Sequence, residues 1–406
     1  MHKKVVIIGG GPAGLAAALE LWNAGVHNII ILERARKLGG ILRQCIHDGF
    51  GLHRFGESLS GPEYAARFVS EIERLHIPFQ TDVTVTEITA NRCVTAISPS
   101  GRFVFSADAV VLAMGCRERT RGNLGIPGTR PAGVFTAGAA QEYMNLCNIL
   151  PGRRALILGS GDIGMIMARR LALEGVAVIG VYEIMAYPSG IRRNVTACLN
   201  DFDIPLVLSH TVTEIHGDSR LEAVTVSEVS ADKHPIPGTE RRIKCDTLIL
   251  SVGLIPENEL SEGAGVALDP KTGGAFVSER YETCVPGIFA AGNVLHVHDL
   301  VDDVSLEAER LARAVIAFLG GERASCDIAV TAGENVLRIV PQRVSGDCPV
   351  RLSFRARVPM GECTISLTQN GEVIASERFA KLVPAEMKTI TLPKLSSKDE
   401  IRAVIS

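Results

Sequence analysis

Val5-Val6-Ile7-Ile8 is an unbroken β-branched run, the pattern of a strand buried on both faces of a parallel sheet. Gly9-Gly10-Gly11-Pro12-Ala13-Gly14 follows, and apolar positions then recur at helical spacing from Leu15 to Trp22. A second apolar run, Ile29–Leu32, ends at Glu33. The same order returns further on. Arg154–Leu158 reads as a strand, Gly159-Ser160-Gly161-Asp162-Ile163-Gly164 as a glycine turn, Ile166–Leu173 as a helix, and Val176–Tyr182 as a strand that ends at Glu183. In both copies the acid lies 19 residues past the last glycine. One such match is weak; two at identical spacing are an internal repeat.

Between and after these units the pattern predicts further elements. Gly61–Leu75 is a helix with Pro62 in its first turn, and Val83–Ile88, Cys93–Ile97 and Phe103–Phe105 are strands of a small meander. Ala109–Ala113 is a buried strand, and Gly/Pro/Arg-rich Thr120–Pro131 a crossing into the second unit. Leu206–Ile215, Leu221–Ser230 and Thr247–Ser251 are strands, and Ser305–Leu319 a long helix. From about Ile328 the periodicity changes. Val336–Val344, Val350–Val358, Cys363–Leu367, Glu372–Leu382, Met387–Leu392 and Ile401–Ile405 alternate around turn signals such as Asn370-Gly371, which suggests a small β-sandwich.

Each strand–glycine–helix–strand–acid unit has the layout of a dinucleotide fold. The first glycine allows the tight turn, the second lets backbone approach a pyrophosphate, and the third lets helix and strand pack closely. The helix N terminus supplies N–H donors and a positive dipole end. Glu33 and Glu183 are placed to accept from ribose hydroxyls, and an acid at Glu183 favours NAD over NADP, with Arg192 and Arg193 the cations nearest in sequence for a 2′-phosphate. The pair Gly39-Gly40 offers another close backbone approach.

Composition narrows the classes. At 406 residues the chain suits about two or three domains. Lys+Arg 42 against Asp+Glu 45 gives a net charge of −3, without the basic stripe that nucleic acid requires. No apolar stretch reaches the roughly 18 residues of a membrane span, and the N terminus does not read as a signal peptide. None of the ten cysteines sits in a CxxC or CxxxxC spacing, which argues against a metal knuckle, an iron–sulfur ligand set or a redox dithiol and for a cytoplasmic protein.

GGGPAG at 9–14, GSGDIG at 159–164, LAMG at 112–115 and GIFAAGN at 287–293 resemble the motifs of the two-dinucleotide-binding flavoprotein family of thioredoxin reductase. The likeness covers about residues 1–325. A closer one is to the FAD/NAD-binding subunits that accompany glycerol-3-phosphate, sarcosine, proline and opine dehydrogenases. GGILRQCIHDGFGLHRF at 39–55 is especially similar to the subgroup beside glycerol-3-phosphate dehydrogenase.

The resemblance implies an α/β fold of two Rossmann-like domains, the second inserted in the first, followed by the all-β domain. The expected boundaries are 1–117 and 253–325 for the FAD domain, 118–252 for the NAD domain, and 326–406 for a β docking or oligomerisation module. It implies FAD at Gly9, Gly11, Pro12, Ala13, Gly14, Glu33, Gly40, Gln44, Val83, Ala113, Gly115, Gly292, Asn293, Val301 and Asp302. NAD would meet Gly159, Gly161, Ile163, Gly164, Glu183 and Gly253. Asn293 stands where the family has an acid that holds the flavin ribityl chain, and keeps hydrogen bonding without the charge.

Disulfide reductases of the family place a dithiol shortly after the glycine pair; here only Cys45 is present. Cys45 and His47 are the catalytic candidates, with an inert packing thiol as the competing reading of Cys45. His296 and His298 could also stabilise reduced flavin, or with Asp299 and Asp302 mimic a metal set, although no metal is expected. The favoured function is an electron-transfer subunit between NAD(H) and a partner dehydrogenase, alone or as a homo-oligomer. A self-sufficient NADH-dependent reductase of oxygen, a quinone or a disulfide, and a non-catalytic nucleotide scaffold, remain as alternatives.

Overall fold

The computed structural model describes all residues from Met1 to Ser406. Packing divides them into two units, Met1–Cys116 with Pro256–Ser406, and Arg117–Ile255.

In the first unit, β1 (His2–Ile8) is followed by α1 (Pro12–Asn23) and β2 (Ile29–Leu32). A parallel sheet runs Phe79–Gln80, β2, β1, β3 (Gly101–Leu112), with Ile288–Ala290 on the far side of β3. The strands expected at Phe103–Phe105 and Ala109–Ala113 are one: the first half of β3 pairs antiparallel with Cys93–Ser98, and the second half lies parallel to β1. Ser106-Ala107-Asp108 continues the alternation, with Ala107 buried, so nothing breaks the ladder. The alanines of α1 (Ala16, Ala17, Ala18) are fully buried and bring it close against the sheet and the last helix.

The second unit repeats the plan. β4 (Arg154–Leu158), α2 (Asp162–Leu173), β5 (Ala177–Tyr182) and β6 (Thr247–Leu250) build a parallel sheet ordered Val134–Thr136, β6, β4, β5, Leu206–Val207. The expected strand Leu206–Ile215 breaks where Ser209 takes a φ of 55°. Leu206–Val207 closes the parallel sheet, and His210–Gly217 opens an antiparallel sheet with Leu221–Glu228 and Arg241–Lys244.

Back in the first unit, α3 (Val301–Leu319) starts four residues before the expected Ser305, which places Val301 and Asp302 in its first turn. The tail is a sandwich around one core that includes Val336, Leu352, Phe354, Ile365, Leu367 and Ile401. One sheet has five strands; the other has three, β7 (Val336–Val340), β8 (Val350–Ala356) and Lys388–Leu392. The strand expected over Val336–Val344 divides at Pro341, which has no N–H to continue the ladder. No helix is long and apolar enough to cross a membrane.

Candidate cofactor sites

The first glycine turn is shaped by backbone contact. Gly9 has a φ of 108°, and a Cβ there would lie 2.2 Å from the Ala113 carbonyl oxygen; a Cβ on Gly14 would lie 1.9 Å from the Gly9 carbonyl oxygen. No larger residue fits either place. The second turn repeats this arrangement, Gly159 against the Ser251 carbonyl oxygen (2.0 Å) and Gly164 against that of Gly159 (2.7 Å). Gly11 and Gly40 face each other backbone to backbone, and the Cβ direction of Gly115 opens onto free space, so the lining carries no side chains. Pro12, Ala13 and Ile163 lie in the first turns of α1 and α2, and Ala113 follows β3.

Glu33 is buried and holds the turn. Its Oε2 accepts from the Gly10 N–H at 2.6 Å and its Oε1 from the Ala35 N–H at 2.7 Å, which leaves each oxygen a lone pair for a ribose hydroxyl. Glu183 is more heavily engaged. Its Oε2 accepts from the Ser160 N–H (2.9 Å) and from the hydroxyls of Ser160 (2.6 Å) and Ser189 (2.9 Å), and its Oε1 from the Met185 N–H (2.9 Å). Ser160 and Ser189 are thus gathered on the same carboxylate at the end of the second turn. The sequence reading singled out neither; Ser160 stands between two glycines of the turn, where a small polar side chain was the available signal, and Ser189 carried none. Arg192 and Arg193 are exposed.

At the other end of the first site, α3 begins without a side-chain cap, so its first N–H groups and positive dipole end are open to a ligand. The segment 48–55 folds onto this end. The His53 N–H donates to Asp302 Oδ2 at 3.1 Å, Arg54 Nη1 reaches Ser305 Oγ at 3.3 Å and pairs with Glu309, and the Tyr64 hydroxyl bonds Ser305 Oγ at 2.7 Å. Asp302 Oδ1 is buried with no partner.

Glu307, one turn further along α3, is a fully enclosed hub. Its Oε1 accepts from the Gly292 N–H at 2.8 Å, and its Oε2 faces Nε2 of His296 at 2.9 Å and Nε2 of His298 at 3.3 Å. Burial pushes the Glu307 carboxyl up, but the two imidazoles outweigh it and hold the group well below the usual carboxylate range. His296 is pulled down to about 4 by burial, with His298 adding to the effect and Glu307 opposing it, so its ring is neutral at pH 7 and donates from Nε2. Asn293 Oδ1 accepts from the His298 N–H at 3.0 Å.

Several expectations change here. Cys45 is buried, its Sγ donates to the Ile41 carbonyl (3.4 Å), and burial pushes its thiol up to about 12, so it packs as a thiol and is not an available thiolate. Val83 already donates its N–H to the Glu33 carbonyl at 3.0 Å, so only its carbonyl is left to meet an adenine. The set imagined from His296, His298, Asp299 and Asp302 does not assemble: Asp299 turns to Arg355, Asp302 to His53, and Glu307 joins the histidines. These three ligand atoms lie within 4.8 Å of one another. Imidazole N–H donors already satisfy the carboxylate, and Arg338 adds positive charge beside His296, which disfavours a buried dication. His47 is half-buried with its ring 5.0 Å from that of Phe50, and Gln44 is buried at the end of a short 3-10 turn that begins at Gly40. Gly253, with a φ of 103°, follows β6, and its Cβ direction is nearly empty. Glu307 was missed, yet it stood in the sequence on the apolar stripe of α3 between Val304 and Leu311, where an acid needs a buried partner.

Two parallel sheets, each with a glycine turn and a buried acid at the end of the second strand, define a two-dinucleotide-binding oxidoreductase. The profile of the pyridine nucleotide-disulphide oxidoreductases matches residues 3–321, and the chain belongs to this FAD- and NAD(P)H-dependent family. It is 29% identical over 292 residues to the hydrogen cyanide synthase subunit HcnB of Pseudomonas protegens, covering 66% of this chain and 60% of that one. It is 24% identical to an opine oxidase subunit of Agrobacterium tumefaciens, covering 71% and 60% respectively. The chain thus spans about three fifths of the length of these relatives. Thioredoxin reductase of T. acidophilum shares the fold, with a TM-score of 0.64 at 23% identity over 78% of this chain and 98% of that one.

Proposed function

We propose that this chain passes hydride between NAD(H) held by the second unit and FAD held by the first, and electrons onward to a partner dehydrogenase subunit in the cytoplasm. The observation that carries the onward step is Cys45. It is the only thiol near the glycine pair, and it is buried and protonated, so the family's dithiol exit is missing while both nucleotide turns are intact. Two relatives are described as subunits, of hydrogen cyanide synthase and of opine oxidase, which supports a partner. Half-exposed Ile41, Ile46 and Leu52, on the segment after the glycine pair, also suit one. The absence of any CxxC or CxxxxC spacing among the ten cysteines suits a reducing compartment.

The residues fit the cofactors. Side-chain-free backbone at Gly11, Gly40 and Gly115 would admit the FAD pyrophosphate, and Glu33 would take ribose hydroxyls with its spare lone pairs. The open N terminus of α3 would face the flavin pyrimidine edge, where Asp302 Oδ1, buried and unmet, would accept a ring N–H. In the second unit Glu183, Ser160 and Ser189 would hold an unphosphorylated ribose. When bound, FAD supplies the hydride acceptor and NADH the donor, so the protein's task is binding, orientation and charge.

The test is an anaerobic spectrum of the purified chain titrated with NADH and, separately, NADPH. Bleaching of a flavin band by NADH at low concentration is expected. A flavin that neither nucleotide bleaches, or a folded chain that takes up no FAD, would overturn the reading. Rapid NADH-driven oxygen consumption by the chain alone would favour a self-sufficient reductase instead.

A further inference from the structure

We propose that Arg338 and Arg355 of the C-terminal β domain are positioning residues for the flavin site, setting Asn293 through the peptide between Val297 and His298. This rests on the FAD reading above. β7 and β8 pair antiparallel with Arg338 directly opposite Arg355. Like charges facing each other on one sheet face are destabilising. Here the cost is greater, because Arg355 is 5% exposed and burial, then Arg355, pulls Arg338 down to about 10.

What the two cations share is one acceptor. Arg338 Nη2 donates to the Val297 carbonyl at 3.2 Å and Arg355 Nη2 to the same oxygen at 3.1 Å. Arg355 also pairs with Asp299 and donates to the carbonyls of Pro384 (3.0 Å) and Ala385 (2.6 Å), while Asp299 Oδ2 accepts from the Met387 N–H at 2.6 Å. The β domain therefore grips residues 297–299 from β7, β8 and the 384–387 loop.

The Val297 carbonyl and the His298 N–H belong to one planar peptide group. Fixing the oxygen between two guanidiniums fixes the N–H, which points to Asn293 Oδ1 at 3.0 Å. Asn293 must then turn its Nδ2 the other way, where it is a donor; its weak contact in the free chain is Cys116 Sγ at 3.6 Å. The family has an acceptor-only carboxylate at this position. In this chain a ribityl hydroxyl would receive a hydrogen bond there. On the near side, His296 and Gly292 are held by Glu307, so the 292–299 segment is clamped at both ends.

The test compares Arg338→Met, Arg355→Met and the double variant with Arg357→Met, whose guanidinium reaches only the Val336 carbonyl (3.4 Å) among its named contacts. Three quantities are read: the FAD dissociation constant, the flavin midpoint potential, and hydrogen exchange of the His298 amide in the FAD-free chain. In the double variant FAD should bind about tenfold more weakly, the effect of one lost orienting hydrogen bond, with a shifted potential and faster His298 exchange. Arg357→Met should change none of them. FAD affinity and His298 exchange within twofold of the parent would overturn the proposal, as would equal effects from Arg357→Met. If the double variant does not fold, Arg338→Met carries the test, since it removes a donor without orphaning a carboxylate. If the parent takes up no FAD, the functional reading fails, and unchanged His298 exchange would separately refute the peptide clamp.

Discussion

At the scale of single residues, the site turns on groups whose ionisation the interior decides. Replacing Cys45 by alanine should leave the rate of flavin reduction by NADH within about twofold and cost roughly 1 kcal/mol of stability, read by stopped-flow absorbance and urea melts. A large loss of rate with stability intact would restore a chemical role. His296 makes a pH prediction. Its ring titrates at an ordinary 6.5 when unfolded and at about 4 when folded, so the unfolded chain binds the extra proton between those values. Stability should therefore fall as pH drops from about 6.5 to 4, by on the order of 3 kcal/mol, and this contribution should level off below. Glu307, also held low, adds loss in the same direction at lower pH. Thermal melts from pH 7.5 to 4 should show the slope, and His296→Asn should flatten it.

The two glycine turns and their acids were legible in the sequence because their constraints are local: a turn, a helix start and a strand end within about thirty residues. Glu307, Ser189 and Asp302's unmet oxygen were not, since no motif spacing marks them: Glu307 meets Gly292 and the two histidines, and Ser189 meets Glu183, through turns that only the folded chain closes. The Arg338–Arg355 pair is similar. Each alone reads as a solvated strand residue, and only the register makes them opposite.

Among elements, the turn-to-helix junctions carry the least tolerance. Gly14→Ala would push a methyl to within 1.9 Å of the Gly9 carbonyl oxygen, and α1 cannot retreat because its alanines are fully packed. Loss of several kcal/mol and of FAD binding is expected, checked by calorimetry and bound-flavin absorbance. Gly25→Ala, at an open helix end with a φ of 85°, tests backbone strain without a clash and should cost only about 1 kcal/mol. Element types were readable from periodicity, whereas their ends followed tertiary partners. β3 ran on through Ser106 because two different neighbours accept its two halves, and the strand after Leu206 stopped because Ser209 turned it into another sheet.

Across the molecule, two units with separate nucleotide turns predict separable stabilisation. FAD at about a hundred times its dissociation constant should stabilise the first unit by about 2.7 kcal/mol and leave exchange in the second unit unchanged, with NADH doing the reverse. Segment-resolved hydrogen exchange distinguishes these patterns, and protection spreading equally over both units would contradict them.

The interrupted order of the first unit also bears on how the chain is made. Its sheet needs Ile288–Ala290 beside β3, and the sandwich needs Ile401–Ile405 between strands that begin at Ile328 and Cys363. A ribosome therefore releases the whole of Arg117–Ile255 while the first sheet still has an open edge along β3. The second unit has every strand it requires by Leu250 and is able to fold first, leaving the older N-terminal segment waiting for the newest one. Nascent chains stalled near residue 290, which brings Leu250 out of the exit tunnel and keeps Ile288–Ala290 inside it, should hold a protease-resistant second unit beside a digestible N-terminal half, so premature termination before Ile288 removes the flavin site and spares the second nucleotide fold.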